Sequence, residues 1–148
     1  MRRAGVVAAM IALVLMSLPW SSARSADWDH DANIDAAVLE LLTTYRQGGM
    51  AVLERRVEDC YRLVDDAGDA DERLRRFEFC AGMDLAAVRL DLRDAPDPAP
   101  VPGRYFGMEA LMARVGRLFT FLQDPNVGNQ VIRAWSLAAA EALARHAD

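Results

Sequence analysis

Residues 52–93 read VLERRVEDCYRLVDDAGDADERLRRFEFCAGMDLAAVRLDLR. Two helical apolar patterns flank a polar turn, Gly68-Asp69-Ala70-Asp71. Leu53, Val57, Cys60, Tyr61 and Val64 form the stripe of the first. Leu74, Phe77, Ala81, Leu85, Val88 and Leu92 form that of the second. Both follow the spacing of an amphipathic helix. Cys60 and Cys80 stand equally far from Ala70 along the chain. If the helices fold back on each other, the two sulfurs come to the same height, within the short Cα separation a disulfide needs. The spacing therefore predicts a Cys60–Cys80 disulfide stapling a helical hairpin.

The second hairpin helix carries another apolar line, Phe79, Met83, Ala86 and Leu90, nearly opposite the first. A helix apolar on two sides needs neighbours on both, so it belongs at the centre. Asp69 and Glu72 stand at the spacing of a capping box at its start. Upstream, Asp35 is the expected cap of a helix over residues 36–47, with Ile34, Val38, Leu41 and Tyr45 on one face. Gly48-Gly49 should end that helix, because glycine takes the left-handed conformation common at helix C-termini. The first hairpin helix then covers residues 50–66.

Downstream, residues 94–103 read DAPDPAPVPG. Alternating proline removes donors and fixes φ, which predicts an extended strap inside the domain. A fourth helix is expected over residues 104–123, with Met108, Leu111, Met112, Val115, Leu118, Phe119 and Leu122 on its core face. A fifth follows the turn at residues 124–129 and runs to His146, with Val131, Ile132, Trp135, Ala139, Ala142 and Leu143 inward. No stretch shows sustained period-two alternation. The expected fold is all-α, a single-domain bundle of about five helices over residues 36–148.

The chain opens Met1-Arg2-Arg3, followed by an apolar run over residues 6–18 and the small residues Ser21, Ser22 and Ala23. This is the pattern of a secretory signal peptide, assigned to residues 1–25. The apolar run is too short for a comfortable membrane span. A periplasmic or secreted protein follows, with no stable membrane anchor after cleavage. Both cysteines lie beyond the signal, and an exported chain with an even count is expected to pair them.

Cleavage after Ala23 removes Arg2 and Arg3 and takes the formal charge from −5 to −7. Nucleic acid and anionic lipid both repel such a chain, so neither is an expected partner. The sequence has no Lys, which removes Schiff-base and lysine general-base chemistry. Ser136 is the one Ser clearly inside the mature fold, and no His or Asp stands at a useful spacing from it. A nucleophile needs a base within hydrogen-bond reach. No catalytic residue, no cofactor and no enzyme activity are expected.

Residues 26–35 form an acidic leader in which Asp27, Asp29, Asp31, Asn33 and Asp35 alternate. The run resembles the opening of an EF-hand calcium loop, whose hard oxygen ligands alternate in the same way. Ala32 stands where that loop needs Gly, and Val38 where a bidentate Glu closes the shell. The resemblance stops at an incomplete site, so no metal is expected. His30 lies in the same run. Asp84, one turn after Cys80, is expected to pair with Arg55, Arg62, Arg114 or Arg133, since an unpaired acid there is costly to bury. The competing reading is a pocket acid with a shifted pKa.

The expected function is non-catalytic binding of an envelope protein or peptide. Tyr105, Phe106 and Phe121 fall off the main stripe of the fourth helix, and aromatic side chains outside a core are common interface anchors. The alternatives are a periplasmic chaperone, an enzyme inhibitor, or a helical carrier of a small ligand. A carrier needs a cavity between helices, with a few converging polar groups. A protein partner needs an exposed apolar patch.

Overall fold

The computed structural model describes residues 28–94, 103–122 and 124–146. The signal pattern, Asp27 and residues 95–102 of the strap lie outside these. Among the described residues, four α-helices form an all-α bundle: α1 (His30–Val64), α2 (Ala70–Asp94), α3 (Met108–Val115) and α4 (Pro125–His146). A 3-10 helix, Gly116–Thr120, follows α3.

Gly48 and Gly49 leave helical geometry as expected, so the helices expected over residues 36–47 and 50–66 are the two halves of α1 across a kink. With α1 counted once, the described residues hold four α-helices rather than five. Gly49 has φ +66° and ψ −162°, a region open essentially to glycine. At Gly48 a Cβ would lie 2.2 Å from Val52 Cγ2. Gly49→Ala should lower stability by about 1–3 kcal/mol, because alanine must be forced into that conformation. Urea unfolding is the check, and an unchanged midpoint would reject the argument.

Helix α1 also begins earlier than expected. Asp29, not Asp35, is its cap: Asp29 Oδ1 accepts from the Ala32 amide at 3.0 Å. Most of the acidic run is therefore helix. Cα–Cβ vectors two residues apart on a helix diverge, so Asp29, Asp31, Asn33 and Asp35 do not share one ion-facing side. At the start of α2, Asp69 Oδ1 accepts from the Glu72 amide at 2.8 Å, as the capping box predicts. The Glu72 carboxylate does not reach back. It bonds Arg75 and Arg76 instead, and these hold its pKa down at about 2.

Helix α2 is central. It packs against α1, α3 and α4, and residues 80–88 are buried without exception. A helix buried all round is what two opposed apolar stripes require. Cys60 of α1 and Cys80 of α2 form a disulfide with a Cα–Cα distance of 5.6 Å. Phe77 of α2 is fully buried and touches the rings of Tyr61, Phe121 and Trp135. It joins α1, the end of the 3-10 helix and α4 in one core.

The helix expected over residues 104–123 is much shorter. Residues 104–107 form a turn in which the Gly107 amide donates to the Arg104 carbonyl at 3.0 Å. Helix α3 then lasts eight residues and tightens into the 3-10 form at Gly116. Glycine is a poor helix former, and the tighter winding buries Leu118 completely. Leu111, Val115 and Leu118 form the buried stripe, whereas Met108 and Met112, expected inward, are 62% and 41% exposed. Helix α4 starts at Pro125, a favoured first helical residue, and Asp124 Oδ1 accepts from the Asn126 amide at 2.8 Å.

Candidate functional site

Two buried carboxylates lie on α2, and the fold treats them differently. Asp84 has a fully buried side chain. Arg114 of α3 donates to it through Nε at 2.7 Å and Nη2 at 2.8 Å. The Tyr61 hydroxyl donates at 3.3 Å. Arg114 also donates to the Tyr105 carbonyl at 2.8 Å, and its guanidinium stacks 4.0 Å over the Tyr105 ring. Burial pushes the Asp84 carboxyl up, and Arg114 and Tyr61 only partly pull it back. Asp84 is thus the structural ion pair, with Arg114 the partner among the candidates.

Glu78 is the second, and the sequence reading passed over it. Its side chain is also fully buried. Oε1 accepts from Trp28 Nε1 at 2.8 Å and from Asn33 Nδ2 at 2.8 Å. Oε2 meets His30 Nδ1. Asn33 also donates to the Arg75 carbonyl at 3.0 Å, which fixes the amide orientation. No arginine reaches this carboxylate among the described residues. The signal was available: Glu78 stands four residues after Leu74 and three before Ala81, inside the apolar stripe that also led to Asp84.

Glu78 lies at one end of a cavity of about 290 Å³. The first turn of α1 contributes His30, Asp31 and Ile34. Helix α2 contributes Leu74 and Glu78. Leu118 and Leu122 come from the 3-10 helix and the turn after it, and α4 adds Val131, Ala134, Trp135 and Ala138. Most of the wall is therefore apolar, with His30, Asp31 and Glu78 as the polar exceptions. The His30 side chain is 53% exposed and marks the mouth.

A second depression, of about 390 Å³, runs beside the disulfide and is lined by Arg56, Arg75 and Arg76. Its arginines are already engaged: Arg56 by Glu40, and Arg75 and Arg76 by Glu72. It has the look of an anion groove without the free cations.

The residues singled out from sequence are dispersed. Asp29 caps α1, Asn33 serves Glu78, and Asp35 accepts from Arg145 at 2.8 Å and pairs with His146 at 2.9 Å. Those two contacts hold the Asp35 carboxyl below its ordinary range. Among the described residues no three potential ligands gather around one ion position. Ser136 accepts from Arg89 Nη2 at 3.0 Å. Of the expected aromatic anchors, Phe106 is 4% exposed and packs against Tyr105. Phe121 sits on Phe77, with ring centroids 5.5 Å apart. The turn at residues 104–107 and the 3-10 helix rotate these rings inward, so Phe106 has no surface to offer as an anchor, while Tyr105 and Phe121 are partly covered.

Comparison of the chain with protein-family models, with curated proteins and with solved structures gave no match.

Proposed function

We propose that this chain is an exported, non-catalytic helical protein that carries a small apolar ligand between α1, α2 and α4. The observation that carries the reading is the cavity of about 290 Å³, apolar over most of its wall with a buried carboxylate at one end. Small-molecule sites have this character: concave, mostly apolar, and marked by few polar groups. The cavity wall holds no Ser, Thr, Cys or Lys among the described residues, so His30 has no nucleophile beside it to activate. Export is supported by the amino-terminal pattern and by the disulfide. No helix among the described residues is long and apolar enough to cross a membrane.

Ala138 lines the cavity from α4 and is partly buried. The test uses N-phenyl-1-naphthylamine, a neutral apolar probe that brightens out of water. Saturable enhancement is expected, and Ala138→Phe should weaken it by about tenfold or more by filling the site. Circular dichroism confirms that the variant is folded. Absence of saturable binding, or binding indifferent to Ala138→Phe, rejects the carrier reading. A protein partner, whether client or inhibited enzyme, is the second reading. Met108 and Met112 favour it, since they stand one turn apart on α3 and are both exposed, and exposed methionines adapt to varied partners.

A further inference from the structure

The cavity between α1, α2 and α4 has a polar end, and that end is closed on itself. The Glu78 side chain has no exposed surface. Its Oε1 accepts from Trp28 Nε1 and Asn33 Nδ2, and its Oε2 meets His30 Nδ1. An indole has one N–H, and that of Trp28 is spent here. The Asn33 amide has two, one given to Glu78 and one to the Arg75 carbonyl. A guest therefore finds no open acceptor at Glu78 and no spare donor on Trp28 or Asn33. No Arg or Lys lines the wall among the described residues, and the nearby Arg75 and Arg76 turn to Glu72. Asp31 lies at the exposed mouth, where an ion pair formed in water contributes little.

The rest of the wall is the apolar surface of Leu74, Leu118, Leu122, Val131 and Trp135. An ionised head group of either sign is costly to bring against such a wall without a partner. The volume, about 290 Å³, stands at the lower end of the range of about 300–1,000 Å³ for small-molecule sites, which favours a compact guest. We infer that the cavity is selective for compact uncharged hydrocarbons, recognised by shape and apolar contact alone. Carboxylates and ammonium ions built on the same body are turned away. This deepens the carrier reading and rests on it. Glu78 acts here as a positioning residue and not as a ligand contact. By gathering Trp28, His30 and Asn33 it holds the first turn of α1 in place as the closed end of the cavity.

The experiment is displacement of the neutral probe N-phenyl-1-naphthylamine from the purified protein at neutral pH, read by fluorescence. The competitors are naphthalene, 1-naphthol, 1-naphthoate and protonated 1-naphthylmethylamine, which share one hydrocarbon body and differ in head group. Naphthalene is expected to bind about tenfold tighter than either charged analogue, and 1-naphthol no tighter than naphthalene. Ala138→Phe should weaken all four. Glu78→Gln, shown folded by circular dichroism, should leave their order unchanged, because no head group reaches that position. Should Glu78→Gln fail to fold, the order measured on the wild type decides. A charged analogue that competes as well as naphthalene, a tighter 1-naphthol, or an order altered by Glu78→Gln overturns the selectivity. Each of these, with the probe still bound and blocked by Ala138→Phe, leaves the carrier reading standing. If the probe does not bind saturably, or ignores Ala138→Phe, the carrier reading falls and this inference with it.

Discussion

Replacing Arg114 by alanine should destabilise the protein by about 3–5 kcal/mol, the range for leaving one partner of a buried pair uncompensated. Asp84 would remain fully buried with only the longer Tyr61 contact, and the Tyr105 carbonyl would lose its donor. Arg114→Lys should recover little, because an ammonium cannot reproduce the two parallel bonds. The deficit should depend on pH with a definite sign. The folded carboxyl of Asp84 already sits above its ordinary value of 3.8. Ionising it therefore opposes folding, so its favourable contribution is complete below the unfolded pKa and is lost as pH rises. Removing Arg114 takes away the main group pulling that pKa down. The gap between variant and wild type should be widest near about pH 7 and narrow towards about pH 4. Denaturant unfolding at both pH values measures it. An equal gap at the two would show that Asp84 is not the group responsible. Changing both Asp84 and Arg114 to leucine should recover most of the loss, since apolar replacement of a whole buried pair is often neutral.

Loss of the Cys60–Cys80 bond should cost about 3 kcal/mol, from the loop entropy returned to the unfolded chain. The residues are 20 apart in sequence, a loop long enough for the effect to be substantial and short enough to keep the hairpin local. The double variant Cys60→Ala, Cys80→Ala should unfold at clearly lower denaturant, and reduced wild type should behave alike. Thiol-labelling mass spectrometry on unreduced protein should find no free thiol. Two labelled cysteines there would remove the staple from the account.

Where the sequence reading succeeded, a local pattern had one physical solution. Equal spacing of Cys60 and Cys80 about Ala70 leaves little freedom once the helices are antiparallel. Asp69 was legible as a cap because its bond partner is three residues away. Asp84 was legible as a pair, though the choice among four arginines was made by tertiary contacts. The break at Gly48-Gly49 was legible too, although the helix resumes directly after it, so it is a kink within α1 rather than a loop. The reading failed where a local signal had two outcomes. The alternating acids looked like a loop because Asp35 is as good a cap as Asp29. What decided between them was Glu78, far away in sequence, which gives Trp28, His30 and Asn33 a common acceptor and so draws the first turn into the helix. Phe106 is buried because residues 104–107 form a turn rather than the start of the expected helix, while Tyr105 and Phe121 stay partly covered. The cavity itself had no signature in the sequence, since its wall is assembled from three helices and a 3-10 turn that only the folded chain brings together.

Helix α4 meets the rest of the bundle along Trp135, Ala139, Ala142 and Leu143, and its last turn is held at Asp35 by Arg145 and His146. No disulfide crosses that boundary, because the chain's two cysteines are spent on joining α1 to α2. The molecule therefore has a half joined covalently and a half held by packing and ion pairs, with the cavity on the seam between them. Local detachment of α4, which breaks no disulfide, is expected to cost less than global unfolding. Under the proposed carrier reading, a ligand seated on the seam would touch both halves and favour the closed one.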